Sequence, residues 1–331
     1  MAIYHLVIGG FGFIGNILIE RLLHQGEQVI CIDDNSSGNF HYSEKKFSDC
    51  KNLDSILGDI NDESIVKWLS QKIGDNEVVV WHLAANSDIQ SGSILANLDA
   101  QKTFMTSVTV CNLIADLNVQ YVNFASTSAV YGESKIGARF TEESPCVPIS
   151  FYGTAKQASE KFLEIKSRNS RIPLLIFRFA NIVGIPATHG VLFDFIKQLQ
   201  NSPESLTVLG DGNQTKSYLH VGKLVEMMLG LWRNNQTGIY NLGPGDMGVN
   251  VREIAELLVA HLKDPIKIQY GTSERGWDGD AVRALMSTDK YESIFKTSRL
   301  KSRDAIHQAI HEISQQLDLQ IYCPDLGKAK G

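Results

Sequence analysis

The stretch LVIGGFGFIG (residues 6–15) ends an apolar run on a pair of glycines, repeats glycine at Gly12 and Gly15, and passes into an apolar pattern. Ile14, Ile17, Leu18 and Leu22 keep helical spacing, and Gly26 can close the helix they predict. A strand that stops on glycines and re-enters as a helix leaves backbone N–H groups unpaired at the positive end of a helix dipole. Such a turn is a cradle for a pyrophosphate. The spacing is Gly9-x-x-Gly12-x-x-Gly15 rather than GxGxxG, so the next strand matters. That strand, QVICID (28–33), ends on Asp33, eighteen residues after Gly15, where an acid accepts hydrogen bonds from an adenosine ribose. A carboxylate there repels a 2′-phosphate, and DDNSSGN (33–39) holds no Arg or Lys to receive one. The expected cofactor is NAD, not NADP.

Outward from this turn, apolar strand candidates at 4–9, 28–33, 77–84, 119–126 and 173–180 alternate with helical patterns, among them 101–117 and 151–168. Near-continuous apolar strands alternating with helices predict a doubly wound parallel sheet, the α/β Rossmann class, covered on both faces. After residue 184 short strands (LTVLG, SYLHV, IYNLG, IKIQYG) mix with helices near 191–200, 222–233, 250–262 and 302–317. Asn250 is placed to cap the third of these. The expected domains are an NAD-binding unit over 1–183 and a smaller α/β substrate-binding lobe over 184–322, from which segments can return to the first unit. Residues 323–331 form a tail expected to fray.

At 331 residues, 43% hydrophobic and 21% charged, the composition is that of a soluble globular protein. A net charge of −6 without a basic tract argues against nucleic-acid binding. No apolar run approaches the ~18 residues that span a bilayer, and no signal-peptide pattern opens the chain. The five dispersed cysteines, without a CxxC pair, predict reduced thiols in a cytoplasmic setting. The histidines and cysteines show no metal-ligand spacing, so no metal is expected.

FYGTAK (151–156) sets Tyr152 and Lys156 one helical turn apart on the same face. A lysine ammonium beside the phenol is expected to lower its pKa from ~10 toward neutrality, making a general base for a sugar hydroxyl. Upstream, FASTSAVYG (124–132) ends a strand in hydroxyls, of which Ser128 or Thr127 can hydrogen-bond the same substrate oxygen.

In combination these motifs resemble the extended short-chain dehydrogenase/reductase family, the nucleotide-sugar epimerases and dehydratases. The resemblance covers nearly the whole chain. It implies that Gly9, Gly12, Phe13, Ile14 and Gly15 hold the pyrophosphate, with Asp33 and Asp34 at the ribose. It also implies that Asp59 and Ile60 of GDI meet the adenine, and that Leu83, Ala84 and Ala85 of HLAAN lie beside the cofactor. Lys156 stands where relatives hydrogen-bond the nicotinamide ribose, and Ser128 at the family's catalytic hydroxyl, with Thr127 its nearest rival. For the substrate, RFANIVG (178–184) supplies Asn181, a diphosphate contact in relatives. GDGNQTKSYLHV (210–221) places Lys216 where many relatives have Arg, as a cation for the diphosphate; Arg275 of RGWDGD (275–280) is the other candidate cation, with Asp280 or Asp278 for the nucleotide ribose. The family's Asn on the helix after HLAA falls on Asn97 or Thr103 and stays unassigned.

Sugar 4,6-dehydratases resemble one another in carrying Asp-Glu where this chain has Ser128-Ala129, and decarboxylases typically carry Glu in place of Ala129. What remains is a hydroxyl, Tyr152, Lys156 and NAD. That set implies redox-neutral 4-epimerisation of a nucleotide-diphosphate sugar, of UDP-glucose/UDP-galactose type, with N-acetylated and uronate sugars left open. Tyr152 takes the 4-hydroxyl proton as the C4 hydride moves to NAD, and the 4-keto sugar turns over to be reduced on its other face. The alternatives are another outcome of the same 4-keto intermediate or a non-catalytic nucleotide sensor, which commonly loses the Tyr/Lys pair. Helices 101–117 and 151–168 pair in related dimers, so a homodimer is expected, with Val108, Leu113 and Phe162 placed either in its interface or against the sheet.

Overall fold

The computed structural model describes residues 2–36, 40–296 and 300–321. The expected tail at 323–331, Cys323 within it, and the end of the 33–39 loop lie outside the described residues. Six strands open the chain: β1 (Ile3–Ile8), β2 (Gln28–Asp33), β3 (Leu53–Leu57), β4 (Glu77–His82), β5 (Asn118–Thr127) and β6 (Leu174–Phe179). They lie in the order 3-2-1-4-5-6, all parallel, and Gly238–Leu242 adds a seventh strand beside β6. The order reverses direction between β1 and β4, so a crevice opens over their carboxyl ends.

Both faces of the sheet are covered because its inner strands are apolar on both sides. Helix α1 (Phe13–His24) buries Leu18, Ile19 and Leu22 on one face, each burial contributing about 1.5–3 kcal/mol. On the other, Ile65, Leu69 and Ile73 of Glu63–Ile73 pack with Val110, Leu113 and Ile114 of Thr106–Asp116. Leu113, 1% exposed, therefore takes the second of the two places open to it and faces the sheet.

Two elements depart from the sequence-based expectation. IYNLG, expected among the small-lobe strands, joins the main sheet, and the Val221–Arg233 helix before it packs Leu224, Val225 and Met228 into the core beneath α1. Strand β3 carries Asp54 and Ser55 at the sheet edge, so its apolar signal is too short to register in the sequence.

The smaller lobe has its own core, in which helices Val191–Asn201, Val251–Ala260 and Ser302–Gln316 surround short strands. Asn250 caps the second helix as expected, its side chain accepting from Glu253 N at 2.7 Å.

Candidate active site

A cleft of about 740 Å³ runs over the carboxyl ends of the strands and between the two lobes. At its floor, α1 starts after the N-cap Gly12 with no side-chain cap, and Gly12, Phe13, Ile14 and Gly15 line the cleft. The glycines have packing reasons too. Gly9 sits at φ +81° and a Cβ there would stand 2.7 Å from Ala84 N, while one on Gly15 would meet the carbonyls of Gly9 and Gly10 at 2.5 Å.

Asp33, 7% exposed, is held by two backbone donors, Phe11 N at 2.9 Å and Asn35 N at 2.8 Å. Burial raises its pKa, which those hydrogen bonds oppose. An uncapped helix start beside an oriented carboxylate is a donor-and-acceptor pair matched to a dinucleotide's pyrophosphate and ribose, so these residues fit NAD. Asp34, Asp59, Ile60, Leu83, Ala84 and Ala85 line the same cleft.

At the cleft's centre the Phe151–Ser170 helix, capped by Ser150 Oγ accepting from Gly153 N at 3.1 Å, presents Tyr152 and Lys156. Lys156 is 1% exposed; its Nζ donates to Ala125 O at 2.6 Å and lies 5.9 Å from the centroid of the Tyr152 ring. Burial pushes the Lys156 pKa down to about 7, with the Glu160 and Asp99 carboxylates opposing. The Tyr152 phenol is not lowered as expected. Burial, and then the Asp99 carboxylate, raise it above the ordinary phenol value, and only a hydrogen bond with Thr127 works the other way. The lysine's ammonium is engaged with the Ala125 carbonyl, and a carboxylate stands where the sequence showed none.

The two hydroxyls left open, Ser128 and Thr127, stand differently toward the cleft. Thr127 ends β5 and lines the cleft, whereas Ser128 starts the tight turn Ser128–Val130, is 8% exposed and is not among the lining residues. Pleat alternation at the strand end sends adjacent side chains to opposite sides.

Asp99 is a residue the sequence reading missed. It is 1% exposed, accepts from Asn86 Nδ2 at 3.1 Å through Oδ1, and its Oδ2 has no partner among the described residues. Of the two positions left unassigned, Asn97 is exposed, while Thr103 is buried and Asn86 N donates to its Oγ1 at 3.0 Å.

Lys102 was missed as well. It reaches the ends of β2 and β3 from a distant part of the chain, at 2.8 Å from Asp34 Oδ2 and 2.7 Å from Asp59 Oδ2. A cation therefore does stand beside the acidic end of β2, with two carboxylates holding it.

At the far end Asn181, Lys216 and Asp280 line the cleft, and Lys216 Nζ is paired with Asp280 Oδ1. Arg275 does not line it. Its guanidinium forms a two-pronged pair with Glu133 at 2.9 Å and 2.9 Å, which fastens the 275–283 loop to the segment just beyond the Ser128–Val130 turn. Asp278, the alternative to Asp280, is likewise not a lining residue.

A buried network anchors the Phe151–Ser170 helix one turn beyond Lys156, on the same face. Arg178 on β6, 3% exposed, donates from Nη2 and Nε to the two Glu160 oxygens at 2.7 and 3.0 Å, and from Nη1 to the Tyr131 hydroxyl at 2.9 Å.

The family model described as "NAD dependent epimerase/dehydratase family" matches residues 5–243. Among curated proteins, the chain is 27% identical over 319 residues to a putative UDP-glucose 4-epimerase of Methanocaldococcus jannaschii, covering 92% of this chain and 97% of that one. It is 28% identical over 267 residues to the dTDP-D-glucose 4,6-dehydratase of Homo sapiens, covering 78% and 74%. Among solved structures, a UDP-galactose 4-epimerase superposes with a TM-score of 0.81 at 28% identity, over 95% of this chain and 99% of that one.

Proposed function

The chain belongs to the NAD dependent epimerase/dehydratase family, and from that premise we propose that it inverts C4 of a UDP-linked hexose through a transient 4-keto sugar. The observation that carries this reading is the meeting of Thr127, Tyr152 and Lys156 in the cleft, Lys156 Nζ lying 5.9 Å from the centroid of the Tyr152 ring, with Ser128-Ala129 in place of the acids that elimination or decarboxylation would need.

Bound NAD supplies the two-electron acceptor and donor at the sugar carbon. Tyr152 takes the 4-hydroxyl proton and returns it, and Thr127 holds the oxygen within reach of the phenol. Lys156 supplies positive charge under the pair, and the low-dielectric pocket makes that charge count for more than it would in water. Because oxidation and reduction cancel over one turnover, the cofactor has no reason to leave. Asn181 and Lys216 are assigned to the diphosphate, for which Lys216 exchanges Asp280, and Asp280 then turns to the nucleoside ribose.

The test is incubation of the purified protein with UDP-glucose, UDP-GlcNAc and UDP-glucuronate, each product being analysed by NMR. Inversion at C4 without net change in NAD supports the reading. Loss of water or of carbon dioxide, or no conversion of any of the three, overturns it.

A further inference from the structure

The strand order walks from the pyrophosphate cradle at β1, through the ribose acid at the end of β2, to β3. A dinucleotide laid along it puts its base over the carboxyl ends of β2 and β3. Lys102 crosses that place. It belongs to the π-helical turn Ala100–Met105, which follows β4 and runs into the Thr106–Asp116 helix. A wide turn of this kind re-aims a side chain that a regular helix would carry elsewhere.

Each of the two acids it meets divides its oxygens. Asp34 Oδ1 accepts Ser36 N at 2.9 Å and Oδ2 accepts Lys102 Nζ at 2.8 Å. Asp59 Oδ1 accepts Asn61 N at 3.0 Å and Oδ2 accepts Lys102 Nζ at 2.7 Å. Each loop is thus fixed by its own backbone donor, which leaves the lysine free for another task. The same helix grips the β3 loop a second time, Thr109 Oγ1 donating to Asn61 Oδ1 at 2.7 Å. Lys102, Asp34 and Asp59 all line the cleft, and the lysine side chain is 33% exposed, so the bridge spans the opening.

We propose that Lys102 is a cofactor-retention residue, tying the ends of β2 and β3 together over the adenosine half of NAD. It neutralises two carboxylates that would otherwise repel a dinucleotide's phosphates, and it must part from at least one of them for the base to leave. With its charge shared between two acids, it has little to offer a 2′-phosphate, which keeps the preference for NAD set by Asp33. The inference rests on the adenosine end lying between Asp33 and Asp59, and not on which sugar is turned over.

The experiment is exchange of labelled NAD from the purified holoprotein, with no sugar present, for the parent, Lys102→Met and Lys102→Arg. Lys102→Met should lose NAD about fivefold to tenfold faster, a difference of about 1–1.4 kcal/mol in the barrier to release. Lys102→Arg, which can still bridge both acids, should hold NAD nearly as long as the parent. Parent-like exchange from Lys102→Met overturns the proposal, as does equal loss from both variants. Should the Met variant not fold, exchange from the unaltered protein between about 0.05 and about 1 M salt decides instead: acceleration supports the bridge, because salt screens a partly exposed ion pair, and a flat profile overturns it. None of these outcomes depends on C4 inversion, so failure of the epimerase reading would show separately.

Discussion

At Tyr152 the chain sets two demands against each other, since the phenol must give up its proton in a pocket whose burial and Asp99 charge favour keeping it. Removing the hydroxyl should therefore abolish chemistry without emptying the cleft: Tyr152→Phe is expected to lower turnover by about 10²–10⁴-fold while the protein still carries NAD, measured by product NMR and by cofactor released on denaturation. Thr127→Ala should cost less than Tyr152→Phe and clearly more than Ser128→Ala, because only Thr127 both lines the cleft and reaches the phenol; equal losses from the two hydroxyl variants would sink that ranking. Tyr152, Lys156 and Asp33 were legible in the sequence because each sits at a fixed offset from a local pattern. Asp99 and Lys102 were not, since their meaning comes from residues on other strands. The choice between Thr127 and Ser128 hung on where β5 ends, a boundary that apolar spacing does not fix. Arg275 was misplaced for a related reason, its partner Glu133 lying 142 positions away.

Strands and helices carry two costs that can be measured. His5 on β1 and His82 on β4 are 1% and 0% exposed, and burial lowers the pKa of His5 to about 4 and that of His82 well below its ordinary value. Their neutral forms accommodate folding above the unfolded pKa of ~6.5. As pH falls from there toward 4 the unfolded chain takes up protons that the native one refuses, so stability falls by about 1.4 kcal/mol per pH unit for each group. Thermal melts between pH 7 and 5 should show that slope, and His5→Asn should make it shallower. One turn beyond Lys156 on the same helix, Glu160→Gln leaves Arg178 buried with its charge uncompensated. A loss of about 3–5 kcal/mol by chemical denaturation is expected. The main helices and inner strands were visible as sequence periods because each buries a continuous apolar face. Strand β3 at the sheet edge was not, and neither was the turn Ala100–Met105, since no sequence period marks a π turn.

Over the whole molecule, Met105, Phe162 and Ile165 leave apolar surface at 43%, 47% and 50% exposure on the two helices expected to pair between subunits, and Phe104 meets Phe162 edge-on at 4.9 Å. A patch of this kind fits a symmetric partner. Light scattering should report a dimer, and Phe162→Glu should shift it to monomer. Among the described residues no helix is long and apolar enough to cross a membrane. The sequence showed a change of pattern at residue 184, but it could not show where the later segments go, because a parallel partner is chosen by tertiary fit and not by neighbours in the chain. The return of Gly238–Leu242 to the side of β6 has its own consequence. The polypeptide crosses between the lobes more than once, so the chain stitches them together. A truncated chain stopped at residue 183 would leave β6, every residue of which is buried in the intact fold, as a bare sheet margin and strip α1 of the helix packed against it, and such a fragment should precipitate where the intact chain stays dissolved.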